Sequence, residues 1–130
     1  MATKIADLDF AMQVARYRDA CDFAGVRERN LFLNDLRSAL HRLPYFTVQK
    51  AEITYGNDPM VEIWGKYSVT RRHIDMVKLD LINVIEQDLA DDRSWCYSLV
   101  AKESGFLFRF LCRLDNNCFV TALVHVHPVR

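Results

Sequence analysis

Chain breakers are scarce in this sequence. Four glycines and three prolines among 130 residues leave no Gly-, Ser- or Pro-rich stretch to act as a linker. The chain therefore reads as one globular domain, 1–130, long enough to bury a sizeable core. An excess of charge of either sign is also missing. Seventeen basic and seventeen acidic side chains are mixed along the chain. Nucleic-acid binding depends on many Lys and Arg contacts to phosphate, so a nucleic-acid partner is not expected. No apolar run approaches the ~18–20 residues that span a bilayer, so neither is a membrane.

Other signatures are absent too. Cys21, Cys96, Cys112 and Cys118 form no CxxC spacing, the pattern of free thiols in a cytoplasmic protein. The opening "MATKIADLDFAMQV" places Asp7 and Asp9 where a signal peptide needs an uninterrupted apolar run, so export is not expected. No GxSxG, SxxK or HExxH occurs. The dispersed glycines offer no phosphate-cradling loop. No cofactor is implied.

What is present is patterned hydrophobicity, 51% of the chain. Residues ~8–24 repeat apolar positions (Leu8, Ala11, Met12, Ala15, Cys21, Ala24) at helical spacing, with Asp7 as N-cap and Gly25 as stop. A second helix, ~28–42, carries Phe32, Leu36, Ala39, Leu40 and Leu43, and Pro44 ends it. The period then shortens. "FTVQKAEITY" and "MVEIWGKY" flank "GNDP", a hairpin over about 46–55 and 60–67. The longest helix, ~69–90, starts at Ser68 or Thr70 and has a wide apolar face from Ile74 to Leu89.

Three strands follow, ~94–102, 105–114 and 118–127. A two-residue turn at Asn116-Asn117 pairs Phe108 with His125 and Phe106 with His127. A Glu103-Ser104 turn adds Trp95, Tyr97 and Leu99 to the phenylalanine face, whereas a three-residue loop with Gly105 in a bulge would swap that strand's faces. The expected architecture is α+β: two N-terminal helices, a β-hairpin, one long helix, then a three-stranded antiparallel meander, in two layers. This element order resembles the cone-shaped fold of the nuclear-transport-factor-2-like group, on order alone and without a shared motif. That resemblance implies a pocket between a curved sheet and its helices.

Three constellations carry candidate chemistry. "GFLFRF" has three alternating phenylalanines; without a basic residue before Gly105, and with its third aromatic one position early, it departs from RNA-binding strands of the RNP1 type. It reads as a core wall or a pocket lining. His125 and His127, at i and i+2, share a strand face. They suit general-base work in a pocket, or metal binding with His73, Cys96 or Cys112, although no spacing selects a third ligand and no metal site is assigned. The third helix reverses the order its dipole favours: Arg71, Arg72 and His73 open it, while Glu86, Asp88, Asp91 and Asp92 close it. Arg93, Arg109 or Arg113 would neutralise the acidic end from within the fold, or that end presents charge to a partner.

Two functions follow. The first is a small interaction protein, a regulator, inhibitor or accessory factor of the kind mobile elements encode. It would bind another protein through Arg71, Arg72, Glu86, Asp88, Asp91, Asp92, Arg109 and Arg113 without catalysis, and a homodimer fits this reading. The second is a small-molecule or enzymatic pocket lined by Trp95, Tyr97, Phe106 and Phe108, with His125 and His127 as its polar groups.

Overall fold

The computed structural model describes residues 7–91 and 93–130. It is an α+β chain with α1 (Asp7–Ala20), β1 (Asp22–Phe23), α2 (Val26–Leu40), β2 (Phe46–Ile53), β3 (Val61–Ser68), α3 (Ile74–Ile85), β4 (Trp95–Ala101), β5 (Phe106–Leu114) and β6 (Cys118–Val129). One wide turn, Glu86–Ala90, prolongs α3. The opening MATKIA and Asp92 lie outside the described residues.

All six strands form one mixed sheet. Its order is β2-β3-β6-β5-β4, and β1 adds to β6. The hairpin and the meander are antiparallel, but β3 joins β6 in parallel, from Val61↔Ala122 to Ser68↔Val129. The two-residue β1 pairs with the start of β6, Asp22↔Cys118 and Phe23↔Phe119. Thus β1 and β3 follow one another along the same side of β6. The expected hairpin and meander are joined in one sheet through a parallel pair, so the sheet is mixed and not wholly antiparallel.

The inner face is the core. Phe106, Phe108, Phe110, Val120, Ala122, Val124 and Val126 line it with Val61, Ile63 and Tyr67, and α2 and α3 cover it with Leu36, Leu40, Val77, Leu81 and Ile85. Each fully buried Leu, Ile or Phe contributes roughly 1.5–3 kcal/mol of transfer free energy. The apolar stripe expected for α2 is all buried. Gly65 is where Phe46 packs on β3: a Cβ there would strike the Phe46 ring at Cζ.

A two-layer arrangement is corrected by α1. Buried Phe10 and half-buried Val14 and Tyr17, with Cys21 just past its end, pack on Cys96, Leu111 and Phe119 of the opposite sheet face. Met12, expected in the stripe, is 49% exposed. Phe10 and Tyr17 bury larger apolar surfaces than the alanines one turn away, so the aromatics decide which face docks. The helix stops at Ala20 because Asp22–Phe23 extends to pair with β6, and Gly25 begins α2 rather than ending α1.

Two further boundaries move. Residues 69–73 are turn and irregular, and α3 begins only after His73, whose Nδ1 accepts from Asp75 N–H at 3.2 Å. Arg71 and Arg72 thus precede the helix, and its first turn holds Asp75. The reversed dipole disappears at that end. The second is the β5–β6 loop. Leu114 pairs with Cys118 across three residues, and Asn116 and Asn117 both take left-handed φ values, 63° and 56°. Asn tolerates that region, so the loop holds one residue more than a two-residue turn. Phe106 therefore faces Val126 and Phe108 faces Val124. A one-residue shift moves every side chain of the strand to the other face, and His125 and His127 leave the phenylalanines.

Candidate functional site

The Trp95, Tyr97, Phe106 and Phe108 group stays together on the inner face. Trp95↔Cys112, Tyr97↔Phe110 and Leu99↔Phe108 are paired, as a Glu103-Ser104 turn implies. At its end Lys102 N–H donates to Gly105 O, and Gly105 takes a φ of 86° where any Cβ would strike Val126 O. Trp95 is 2%, Phe106 1% and Phe108 0% exposed. The space that a pocket between sheet and helices would occupy is filled by side chains, and the two histidines point away from it.

Those histidines lie on the outer face, beside β3. Alternation along "VEIWGKYS" sends Val61, Ile63 and Tyr67 inward and Glu62, Trp64 and Lys66 outward. The parallel register sets Trp64 against His125 and Lys66 against His127. The Trp64 and His125 rings stack at 4.9 Å with 3° between planes. Lys50 Nζ from β2 sits 4.7 Å from the Trp64 ring and 3.5 Å from Glu52.

His125 is held at both nitrogens. Nε2 lies 2.9 Å from Glu62 Oε2, and Nδ1 lies 3.3 Å from Lys102 Nζ in the β4–β5 loop. With the ammonium donating to Nδ1, the Nε2–H donates to the carboxylate, an order that suits a neutral imidazole. His127 Nδ1 reaches Ser104 O at 3.3 Å. Among the described residues neither ring nitrogen of His125 bonds a hydroxyl or thiol, so no nucleophile stands beside the histidine. Burial raises the Cys96 and Cys112 thiols to about 11 and lifts Cys118 as well, the reverse of what a reactive cysteine needs. Among the described residues no group of three His, Cys, Asp or Glu side chains is placed to hold a metal ion.

The charged residues expected to bind a partner are dispersed. Arg72 is bound to Asp80 by two hydrogen bonds, 3.0 and 3.2 Å, and Tyr45 donates to the same carboxylate at 2.7 Å. Burial, then that bond, pushes the Tyr45 phenol well above its ordinary value. Arg71 donates to Pro44 O at 2.9 Å. Asp88 takes Arg42, and Arg93 donates to Leu89 O and reaches Asp115. Asp91 closes the wide turn with φ 49°, and Glu86 is half-buried within it; Asp92 lies outside the described residues. Arg109 and Arg113 are on the outer face: Arg109 Nε donates to Ser98 at 3.0 Å with its guanidinium over Phe10, and Arg113 donates to Asn117. Within the described part of the acidic turn, Arg42 meets Asp88 and Arg93 donates to Leu89 O.

Sequence reasoning missed Trp64, Glu62, Lys50 and Lys102. The alternation of β3 was available to place Trp64 and Glu62 on one face. Their meeting with His125 depends on the parallel β3–β6 pairing, which leaves no local trace. No described helix packs on this part of the sheet, because α1 covers only the half nearer β4 and β1. None of the described helices is long and apolar enough to cross a membrane. No protein-family model matches the chain, and no curated protein matches it.

Proposed function

We propose that this protein acts without catalysis, by binding another macromolecule through the outer face of β2, β3 and β6, on which no described helix packs. The observation that carries the reading is the Trp64–His125 stack on a sheet face that no described helix covers. Trp64 and His125 are half-buried in that face, and large aromatics set into a surface patch are the usual anchors of protein interfaces. Here the anchor is preorganised: Glu62 and Lys102 fix the imidazole, and Lys50 lies over the indole. Ordering such a side chain in advance lowers the entropy lost on docking.

The charge of the face suggests the partner. Lys50, Lys66 and Lys102 surround the stack, while Glu52 and Glu62 are engaged with Lys50 and His125. A protein offering an acidic side chain beside an apolar one fits that pattern. The functional class is that of a small regulator, inhibitor or accessory factor.

Affinity capture from native lysate, read by mass spectrometry, tests the reading. Wild type and an Asp88→Asn/Asp91→Asn variant should retain the same protein, and Trp64→Ala and Lys66→Glu variants, checked for folding by circular dichroism, should lose it. Retention that survives both face substitutions and is lost with the acidic turn would move the site to the end of α3.

A further inference from the structure

We propose that the free edge of β4 is the interface of a symmetric dimer, in which β4 of a second copy of this chain pairs with it antiparallel about a two-fold axis at Ser98. The proposal does not rest on the reading of the Trp64 face. The long strands leave two edges, β2 and β4. An open edge presents unpaired backbone donors and acceptors to any strand that arrives, and folded proteins guard it with charges, bulges or prolines. The β2 edge is guarded: it carries Lys50 and Glu52, and its ladder is irregular between Val48 and Lys50. The β4 edge is not. "WCYSLVA" has no charge, no proline and no glycine, and its ladder with β5 is unbroken from Trp95↔Cys112 to Ala101↔Phe106. Arg113 N–H donates to Ser94 O and Lys102 N–H to Gly105 O, so the even-numbered residues turn their amides and carbonyls toward β5. Alternation turns those of Trp95, Tyr97, Leu99 and Ala101 outward. Among the described residues, nothing bonds the backbone of these four on that side.

The strand itself says what fits this edge. Ser98 is the midpoint of β4. An antiparallel partner centred there sets Tyr97 opposite Leu99, and Trp95 opposite Ala101, of the second copy, and both pairs recur across the axis. All four outward residues are then used, with two hydrogen bonds in each pair. Tyr97 and Leu99 are half-buried on the inner face, and pairing covers them further. The next outward positions, Arg93 and Glu103, also meet, as opposite charges at each end of the ladder. A slip of two residues either way would set Arg93 against Ala101, or Glu103 against Trp95. Both charged residues are exposed, and within one chain Arg93 has only Leu89 O and, at 3.5 Å, Asp115. Helix α3 repeats the complementarity. Glu86 lies at the Tyr97 end of β4, where burial and then its charge lift the phenol. Lys78 lies at the Ala101 end, 5.5 Å from the Phe106 ring. The axis therefore brings the Lys78 end of one α3 toward the Glu86 end of the other.

The test is the mass of the full chain in solution, followed across a dilution series by sedimentation equilibrium, together with amide hydrogen exchange. Wild type should associate to a dimer. The amides of Tyr97 and Leu99 should exchange slowly in the dimer and quickly in the diluted monomer. Glu103→Arg places like charges at both ends of the ladder and should weaken association on the order of tenfold. Adding Arg93→Glu restores opposite charges and should recover it. Leu99→Pro removes an amide that bonds nothing within the chain and should abolish association, with folding checked by circular dichroism; if that variant unfolds, the charge exchange decides. Four results would overturn the proposal: a monomer throughout, a dimer in which Tyr97 and Leu99 exchange as fast as in the monomer, an association indifferent to Glu103→Arg, or protection of those amides only when another protein is added, which would give the edge to a foreign strand.

Discussion

On β5, Phe106, Phe108 and Phe110 point one way and Leu107, Arg109 and Leu111 the other. The inward set meets α2 and α3 and is buried along its whole length. The outward set meets α1 over part of its length only. Beyond α1, the same strands and their β3 neighbour hold an aromatic stack, an imidazole bonded at both nitrogens and several lysines. A packed face tolerates little change of volume and no unpaired charge; a partly covered face accepts both. The difference locates chemistry on the outer face and stability on the inner one. It also explains why the phenylalanine strand, the most conspicuous run in the sequence, is core.

Substitutions on the two faces should separate these roles. The largest effect is expected inside: Phe108→Ala removes a fully buried ring and should cost about 3–5 kcal/mol in a denaturant melt. Next comes an alkaline loss of stability. Unfolded thiols release their protons near 9, while burial holds Cys96 and Cys112 to about 11. The folded state therefore binds more protons in that window, and stability falls as pH climbs from 9 to 11, by about 1.4 kcal/mol per pH unit for each thiol. Melts of Cys96→Ala across this range should show a correspondingly shallower fall. Gly65→Ala follows, since its Cβ would strike the buried Phe46 ring; about 1–3 kcal/mol is expected by the same melt.

Outside, the stability effects shrink. Trp64→Ala should cost only about 1 kcal/mol, the order of an aromatic pair, yet remove partner binding. Arg42→Gln breaks an exposed pair with Asp88 and should change stability by less than about 1 kcal/mol. A large loss in either outer variant would erase the distinction between the faces.

Local features of this fold were legible in the sequence. The α2 stripe, the hairpin around "GNDP" and the Trp95, Tyr97, Leu99 face follow from periodicity and turn residues, and all are present. Failures occurred where a single residue or a distant contact decides. One extra residue in the Asp115-Asn116-Asn117 loop turned β6 over and took His125 and His127 from the expected pocket. The side chosen by α1 depended on Phe10 and Tyr17 finding Leu111 and Phe119, about a hundred residues away. The apparent dipole reversal arose from counting Arg71, Arg72 and His73 into a helix that begins after them. The candidate face needed the β3–β6 pairing, where non-local register is set by the whole core.

Binding through the outer face makes Trp64 the buried centre of the complex. The chain has two tryptophans, and Trp95→Phe leaves Trp64 as the sole indole. Acrylamide quenching of that variant, with and without the captured partner, addresses the claim directly. Trp64 should be quenched readily in the free protein and strongly protected in the complex. Equal quenching in both states, with binding intact, would contradict the assignment of the outer face as the functional one.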